Sequence, residues 1–302
     1  MKKSIIEMPQ FPYVAATVAN IIWGFSNTLT GIALKVSIPQ LILASRFLIA
    51  MTLMLVLVKM GKETLQFHKP KFGYLLALGV IELIYFYCES YGIVYSNVTC
   101  SGVILAASPI LSMIFAAIFL KEIPSAKQVF FSFVAVGGVV MITVSEGILG
   151  EIKALGIVLL CGGCLCAAIF RVINRKIIHI YSAFERTFMI LCVSFVAFLI
   201  NGIIKTAQDV SVATRAFTSV RFWLVVFALG IFSSFGANVL MNLATEKLKV
   251  VELSVFGAVC TVCSMVGGIL FLHEPLTIYA VLGVVMIVVG IWQVNKKESE
   301  IQ

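Results

Sequence analysis

Ten stretches of mostly apolar residues, each about 20 residues long and so able to cross a bilayer as a helix, fill nearly all of the 302-residue chain. They run over 11–33, 39–58, 73–94, 98–120, 127–145, 154–173, 183–204, 222–244, 250–272 and 277–294. The split at Tyr95-Ser96-Asn97 divides what is otherwise one long apolar block. In water such a chain has nowhere to hide its surface. Its residues are 61% hydrophobic and 12% charged, against roughly half and about a quarter in soluble domains. The segments are continuously apolar rather than alternating, which favours helices over a barrel. The expected fold class is an all-α integral membrane protein with ten transmembrane helices. The first stretch holds Trp23, Gly24 and Asn27 and shows no small-residue cleavage pattern, so it reads as a retained span rather than a signal peptide.

A net charge of +8 would point to nucleic acid in a soluble protein. Here the cations crowd onto one side. With the N-terminus inside, the termini and inner loops carry Lys2, Lys3, Lys59, Lys62, Lys69, Lys71, Lys121, Lys127, Arg171, Arg175, Lys176, Lys247, Lys249, Lys296 and Lys297. The outer side keeps Lys35, Lys153, Lys205, Arg215 and Arg221. That bias is the positive-inside rule and places both termini in the cytoplasm, in a multi-pass protein of the cell membrane. The charge sets orientation; no nucleic-acid partner is expected.

All eight cysteines fall inside the apolar stretches, away from loops where structural disulfides form. Cys161-x-x-Cys164 and Cys260-x-x-Cys263 each put two thiols on one helical face. No histidine lies in a span to complete a soft-metal site, and cysteine packs well between helices. No metal or other cofactor is expected.

The chain repeats itself. At an offset of 152, Ser112 meets Ser264, Phe119-Leu120 meets Phe271-Leu272, Glu122 meets Glu274 and Gly138 meets Gly290. Nearer the start of each half the offset is 140, pairing Lys35 with Arg175 and Arg46 with Arg186. The 12 extra residues of the second half belong between these anchors, with the loop over roughly 205–221 as their place. The halves are 1–148 and 149–302. Five helices in each is an odd number, so the second copy enters the membrane in the opposite sense. Secondary transporters use such inverted repeats to exchange outward-open and inward-open shapes around a midplane site.

Trp23-Gly24-x-x-Asn27, Arg46 at the start of the second span, Phe119-Leu120-Lys121-Glu122 and Phe271-Leu272-His273-Glu274-Pro275 together resemble the drug/metabolite transporter superfamily. The match is to its ten-helix EamA-type members and covers essentially the full length. The resemblance implies a 5+5 inverted repeat and a central cavity lined by the first, third, fourth, sixth, eighth and ninth spans. It also implies export of small metabolites or amino acids.

The third span carries Glu82 and Glu89, seven residues and about 20° apart on one face, with Tyr85 between them. An ionised side chain at the bilayer centre costs roughly 2.5–3.5 kcal/mol on insertion scales, so such residues face a cavity or a partner. Two carboxyls placed there can pass protons, as proton coupling requires, or hold the amine of a cationic or zwitterionic molecule. Buried, proton-bearing carboxyls that only fix packing are the plain alternative. By the 152 offset Ser234 answers to Glu82 and Met241 to Glu89, while Ser234, Asn238, Met241 and Asn242 share a face of the eighth span. One wall is then acidic and the other amide-lined, which suits oriented binding of a polar small molecule; amides also glue helices together. Trp23 and Asn27, one turn apart, supply stacking and hydrogen bonding on the first span.

Lys35, Arg46, Arg175, Glu185 and Arg186 lie near span ends and read as headgroup anchors. Glu122 and Glu274, followed by Pro124 and Pro275, read as caps of the fifth and tenth spans. Glycines such as Gly138, Gly283 and Gly290 permit close helix approach, in the core or at a homodimer face. An intramembrane enzyme lacks its parts: Asp209 and the three histidines lie in loops or at helix ends, and no Walker-type loop is present. The reading is a secondary exporter of a small amino-acid-like or cationic metabolite, its partners the bilayer, the substrate and, where export is proton-coupled, protons. The alternatives are a multidrug or cation exporter of the same fold, or a channel-like or structural membrane protein.

Overall fold

The computed structural model describes residues 8–67, 70–96, 104–105, 107–145, 153–272 and 277–295, except the side chains of Asn27, Ser90, Ile93, Val94, Thr143, Ser145, Gly268 and Leu272. Every regular element among them is helical. In chain order they are α1 (Phe11–Leu34), α2 (Pro39–Lys59), α3 (Phe72–Tyr95), α4 (Ser108–Leu120), α5 (Ala126–Ser145), α6 (Ala154–Ile177), α7 (Ala183–Gln208), α8 (Val210–Thr218), α9 (Val220–Lys247), α10 (Val250–Leu272) and α11 (Ile278–Asn295). Seven stretches meet the length and apolarity of a membrane span, and 108–120 and 126–142 are shorter apolar helices. The early part of the expected 98–120 span lies outside the described residues apart from 104–105 and 107.

Helix ends follow local chemistry. Proline opens α2 at its first turn. Ser182 and Glu185 form a capping box on α7: the Glu185 amide donates to Ser182 Oγ at 3.2 Å, and the Ser182 amide to Glu185 Oε2 at 2.8 Å. Ser125 and Gln128 do the same for α5. The break after Tyr95 holds, since α3 ends there and the Ser96 hydroxyl turns back to Gly92 O at 2.7 Å. The loop expected over 205–221 is mostly helical: α7 runs on to Gln208, and α8 begins where Asp209 Oδ1 accepts from the Ser211 amide at 3.0 Å.

The helices pair in mirrored fashion. α3 packs on α6 as α9 packs on α1; α4 on α6 as α10 on α1; α3 on α7 as α9 on α2. Between these, α2 meets α7, α4 meets α10 and α5 meets α11, each joining equivalent positions of the two halves. The halves are thus intertwined rather than side by side. Glycine makes the α5–α11 seam possible: a Cβ on Gly138 would stand 2.5 Å from Gly283 O, and one on Gly283 2.6 Å from Gly138 O.

The two ends of the bundle differ. At one end Ala15, Leu248, Phe256 and Ile291 cluster, bringing together the start of α1, the end of α9, the first turns of α10 and the last turns of α11; this is the terminal face. At the other end Ala33, Leu41, Ala216 and Phe222 join α1, α2, α8 and α9. Near the terminal face α9 packs on α6 and α7, and α10 on α6. Among the described residues the mirror pair of α9 with α7, which is α3 with α2, packs less extensively.

Candidate functional site

Glu82 lies ten residues into α3, about 15 Å along its axis, and Glu89 two turns further. Tyr85 joins the second acid: its phenol donates to Glu89 Oε1 at 3.0 Å, the i to i+4 reach of a helix. No hydrogen-bond partner for the Glu82 carboxyl occurs among the described residues. Its electrostatic neighbours are Glu89 and Arg171 of α6. The Arg171 guanidinium is tethered by a hydrogen bond from Nη1 to Ser112 Oγ of α4 at 2.6 Å. Beside it the Cys164 thiol donates to Ile104 O at 3.0 Å. Three helices therefore bring one polar cluster together: α3 gives two acids and a phenol, α6 a cation and α4 a hydroxyl.

A second cluster stands on the wall formed by α2 and α9. Arg46 sends Nε to Ser234 Oγ at 2.7 Å and Nη2 to Ser233 Oγ at 2.9 Å. Here α9 widens into a π-helical segment, Leu229–Ala237, a distortion often found at functional sites. The Asn238 amide donates to the Ser234 and Ser233 carbonyls at 3.0 and 3.3 Å, satisfying acceptors that the widened turn displaces. Gly230 lets this turn rest on α2, because a Cβ there would come within 2.9 Å of Arg46 O.

Glu82, Glu89, Arg46 and Arg171 share one property. Each is half-buried among the helices. A charge without water or a partner at that depth is costly.

A third network closes the terminal face. Glu122, just beyond α4, accepts from Arg175 Nε at 3.1 Å and from the Val250 amide at 2.8 Å. Arg175 Nη1 also donates to Thr245 O at 2.5 Å. One carboxylate thus ties the first half to α6 and to the N-terminus of α10, while its arginine holds the last turn of α9. Next to it Arg186, fully buried, donates to Glu246 Oε1 at 2.7 Å, Asn174 Oδ1 at 2.6 Å and Asn242 O at 3.0 Å. The Asn242 side chain bridges Asn174 and Thr187, both at 2.9 Å.

The sequence-selected residues therefore divide. Glu82, Tyr85 and Glu89 gather on one wall, and Ser234 and Asn238 gather around Arg46 on another. Asn242 instead joins the network at the terminal face with both ends of its amide engaged. Trp23 is half-buried on α1, which packs against α9 and α10; Asn27 follows it one turn later, its side chain outside the described residues. Sequence reasoning placed Arg171 in a loop and made Arg46 and Arg186 headgroup anchors. The structure corrects this: α6 continues to Ile177, leaving Arg171 well inside the helix, and all three guanidinium groups turn inward to protein partners. Glu122 was expected to cap α5, but its carboxylate reaches the first amide of α10 instead. The missed signal was depth, since an arginine seven residues into a span has further to reach than one at its first turn. Among the described residues no three His, Cys, Asp or Glu side chains group as a metal site.

Comparison with known proteins places this geometry in context. Residues 10–144 and 154–296 each match the model of the EamA-like transporter family. The chain is 31% identical over 283 residues to the uncharacterized transporter YcxC of Bacillus subtilis, covering 92% of this chain and 91% of that one. It is 29% identical over 279 residues to an uncharacterized transporter of Archaeoglobus fulgidus, covering 91% and 95%. A crystal structure that is 16% identical superposes with a TM-score of 0.77 over 94% of this chain and 96% of its own, which is a likeness of fold.

Proposed function

The chain belongs to the EamA-like transporter family, and on that footing we propose that it is a secondary carrier exporting a small polar metabolite, amino-acid-like or cationic, by alternating access. The observation that carries this reading is the half-buried pair Glu82 and Glu89 on one face of α3, with the Tyr85 phenol between them. A carboxylate there offers an amine a charge-assisted hydrogen bond in surroundings that favour it over water. Two acids side by side can also trade a proton for the cargo, which would couple export to inward protons.

The two ion pairs that bridge helices at the terminal face fit a carrier closed on that side. With both termini in the cytoplasm, as the distribution of cations predicts, that state opens outward. The Glu122–Arg175 and Arg186–Glu246 pairs are then the cytoplasmic latch, to be broken when the inward-open shape forms. This reading places the protein in the cell membrane and calls on no enzymatic step and no cofactor. A homodimer is compatible with this role and is not needed for it.

The test starts from the culture medium. Solutes released by cells that express the protein, and not by cells that lack it, identify the cargo. Counterflow of that solute in proteoliposomes then compares the native protein with Glu82→Gln and Glu89→Gln. The proposal requires a loss of about 10- to 100-fold, the scale of one charge-assisted hydrogen bond. Unaltered counterflow in both variants would remove the carboxyl pair from the mechanism.

A further inference from the structure

We infer that Arg46, held by the π-helical turn of α9, is an anion-recognition residue of the transport site, so that the cargo carries a carboxylate or like anionic group. This deepens the transport reading and rests on it. The argument is one of broken symmetry. Arg46 and Arg186 are equivalent in the two halves by the 140 offset. Arg186 is wholly buried and neutralised by Glu246 at 2.7 Å. At the 152 offset that relates α3 to α9, position 94 answers to Glu246, and it is a valine. Arg46 has accordingly no carboxylate partner among the described residues.

What Arg46 has instead is orientation. Two neutral hydroxyls, Ser233 and Ser234, fix Nε and Nη2, and no bond to Nη1 is formed among the described residues. Snorkelling to headgroups does not explain this geometry. Arg46 is about 10 Å into α2, and its partners lie about 20 Å into α9. The Glu82 group does not neutralise it either, since the charged neighbours of Glu82 are Glu89 and Arg171. A half-buried guanidinium with neutral supports and a free edge is suited to a planar anion, which arginine binds through two parallel hydrogen bonds. The anion then supplies what Glu246 supplies to the twin.

A thiol at Asn238, one turn from Ser234, reports on this charge whatever the cargo is. Purified Asn238→Cys protein is labelled with an anionic and a cationic methanethiosulfonate, and the peptide holding position 238 is read by mass spectrometry. With Arg46 present the anionic reagent reacts faster by about 10-fold, the order that a unit charge several ångströms away gives between the dielectrics of water and protein. Arg46→Gln abolishes the preference and Arg46→Lys retains it. Should Arg46→Gln not accumulate, Ser233→Ala with Ser234→Ala keeps the charge but frees it, and the preference drops several-fold. Equal ratios with and without the arginine, or no labelling at position 238, overturn the inference. The medium comparison separates the two readings. If native and deleted cells release the same solutes, transport fails; if Arg46→Gln still releases the same carboxylate-bearing solutes as the native protein, only the anion site fails.

Discussion

Arg186 and Glu246 form an ion pair of 2.7 Å in which the guanidinium has no exposed surface and the carboxylate keeps 30% of its own. The pair joins the first turn of α7 to the last turns of α9, at the face where α1 begins and α11 ends. With Arg175 and Glu122 it ties α6, α7, α9 and α10 together at that face.

Breaking that face should cost stability and change which side opens. Glu246→Ala leaves a buried guanidinium without its counter-ion, a loss of about 3 kcal/mol, and should lower the thermal midpoint in detergent. In the reversed pair, Glu122→Arg with Arg175→Glu, stability should partly return relative to either single change. Midpoints that ignore all of these substitutions would mean the network is solvated and inert.

The seam between α5 and α11 gives a sharper contrast. Gly138→Leu forces a side chain into Gly283 O and the Ile287 side chain, an overpacking cost of about 1–3 kcal/mol. Gly31→Ala meets nothing within 4 Å and replaces a helical glycine, so it should be neutral or stabilising by up to about 1 kcal/mol. Thermal unfolding of the two variants side by side checks the sign of each.

Transport should depend on pH through the α3 acids. In the native protein the rate of counterflow changes with external pH as Glu82 and Glu89 bind or release protons. Glu82→Gln with Glu89→Gln should flatten the profile. Tyr85→Phe removes only the phenol's bond to Glu89 and should displace the profile without flattening it. A double variant with the native pH response would assign the proton-sensitive step elsewhere.

The π-helical turn is expected to matter as geometry. Gly230→Ala pushes α9 off the Arg46 backbone and should weaken transport more than it weakens folding. Measured together, cargo counterflow should fall several-fold while the thermal midpoint moves by only a few degrees.

Much of this architecture could be read without coordinates, because apolar length and the internal repeat are properties of the chain itself. The helix positions, the break after Tyr95 and the acidic face of α3 follow from hydropathy and from 100° per residue. What escaped depends on contacts between distant segments. Nothing local distinguishes Arg46, which keeps a free edge, from Arg186, which is neutralised 60 residues further on by Glu246. Asn242 shares a helical face with Asn238 in sequence, but the π-helical segment and the packing of α6 and α7 send the two amides to different networks. Glu122 looked like a cap for the next helix because sequence gives neighbours along the chain, whereas its carboxylate found α10, 128 positions away.

The most direct test is side-specific labelling of cysteines placed at 82 and 89 in oriented membrane vesicles, using a membrane-impermeant thiol reagent. If α3 presents its acids to a chamber that opens alternately, position 89 reacts from the face opposite the termini in the resting protein. Both positions become reactive from the terminal face when Glu122→Ala and Glu246→Ala release the latch. Silence at 82 and 89 from both sides in every variant would contradict the chamber and the transport reading built on it.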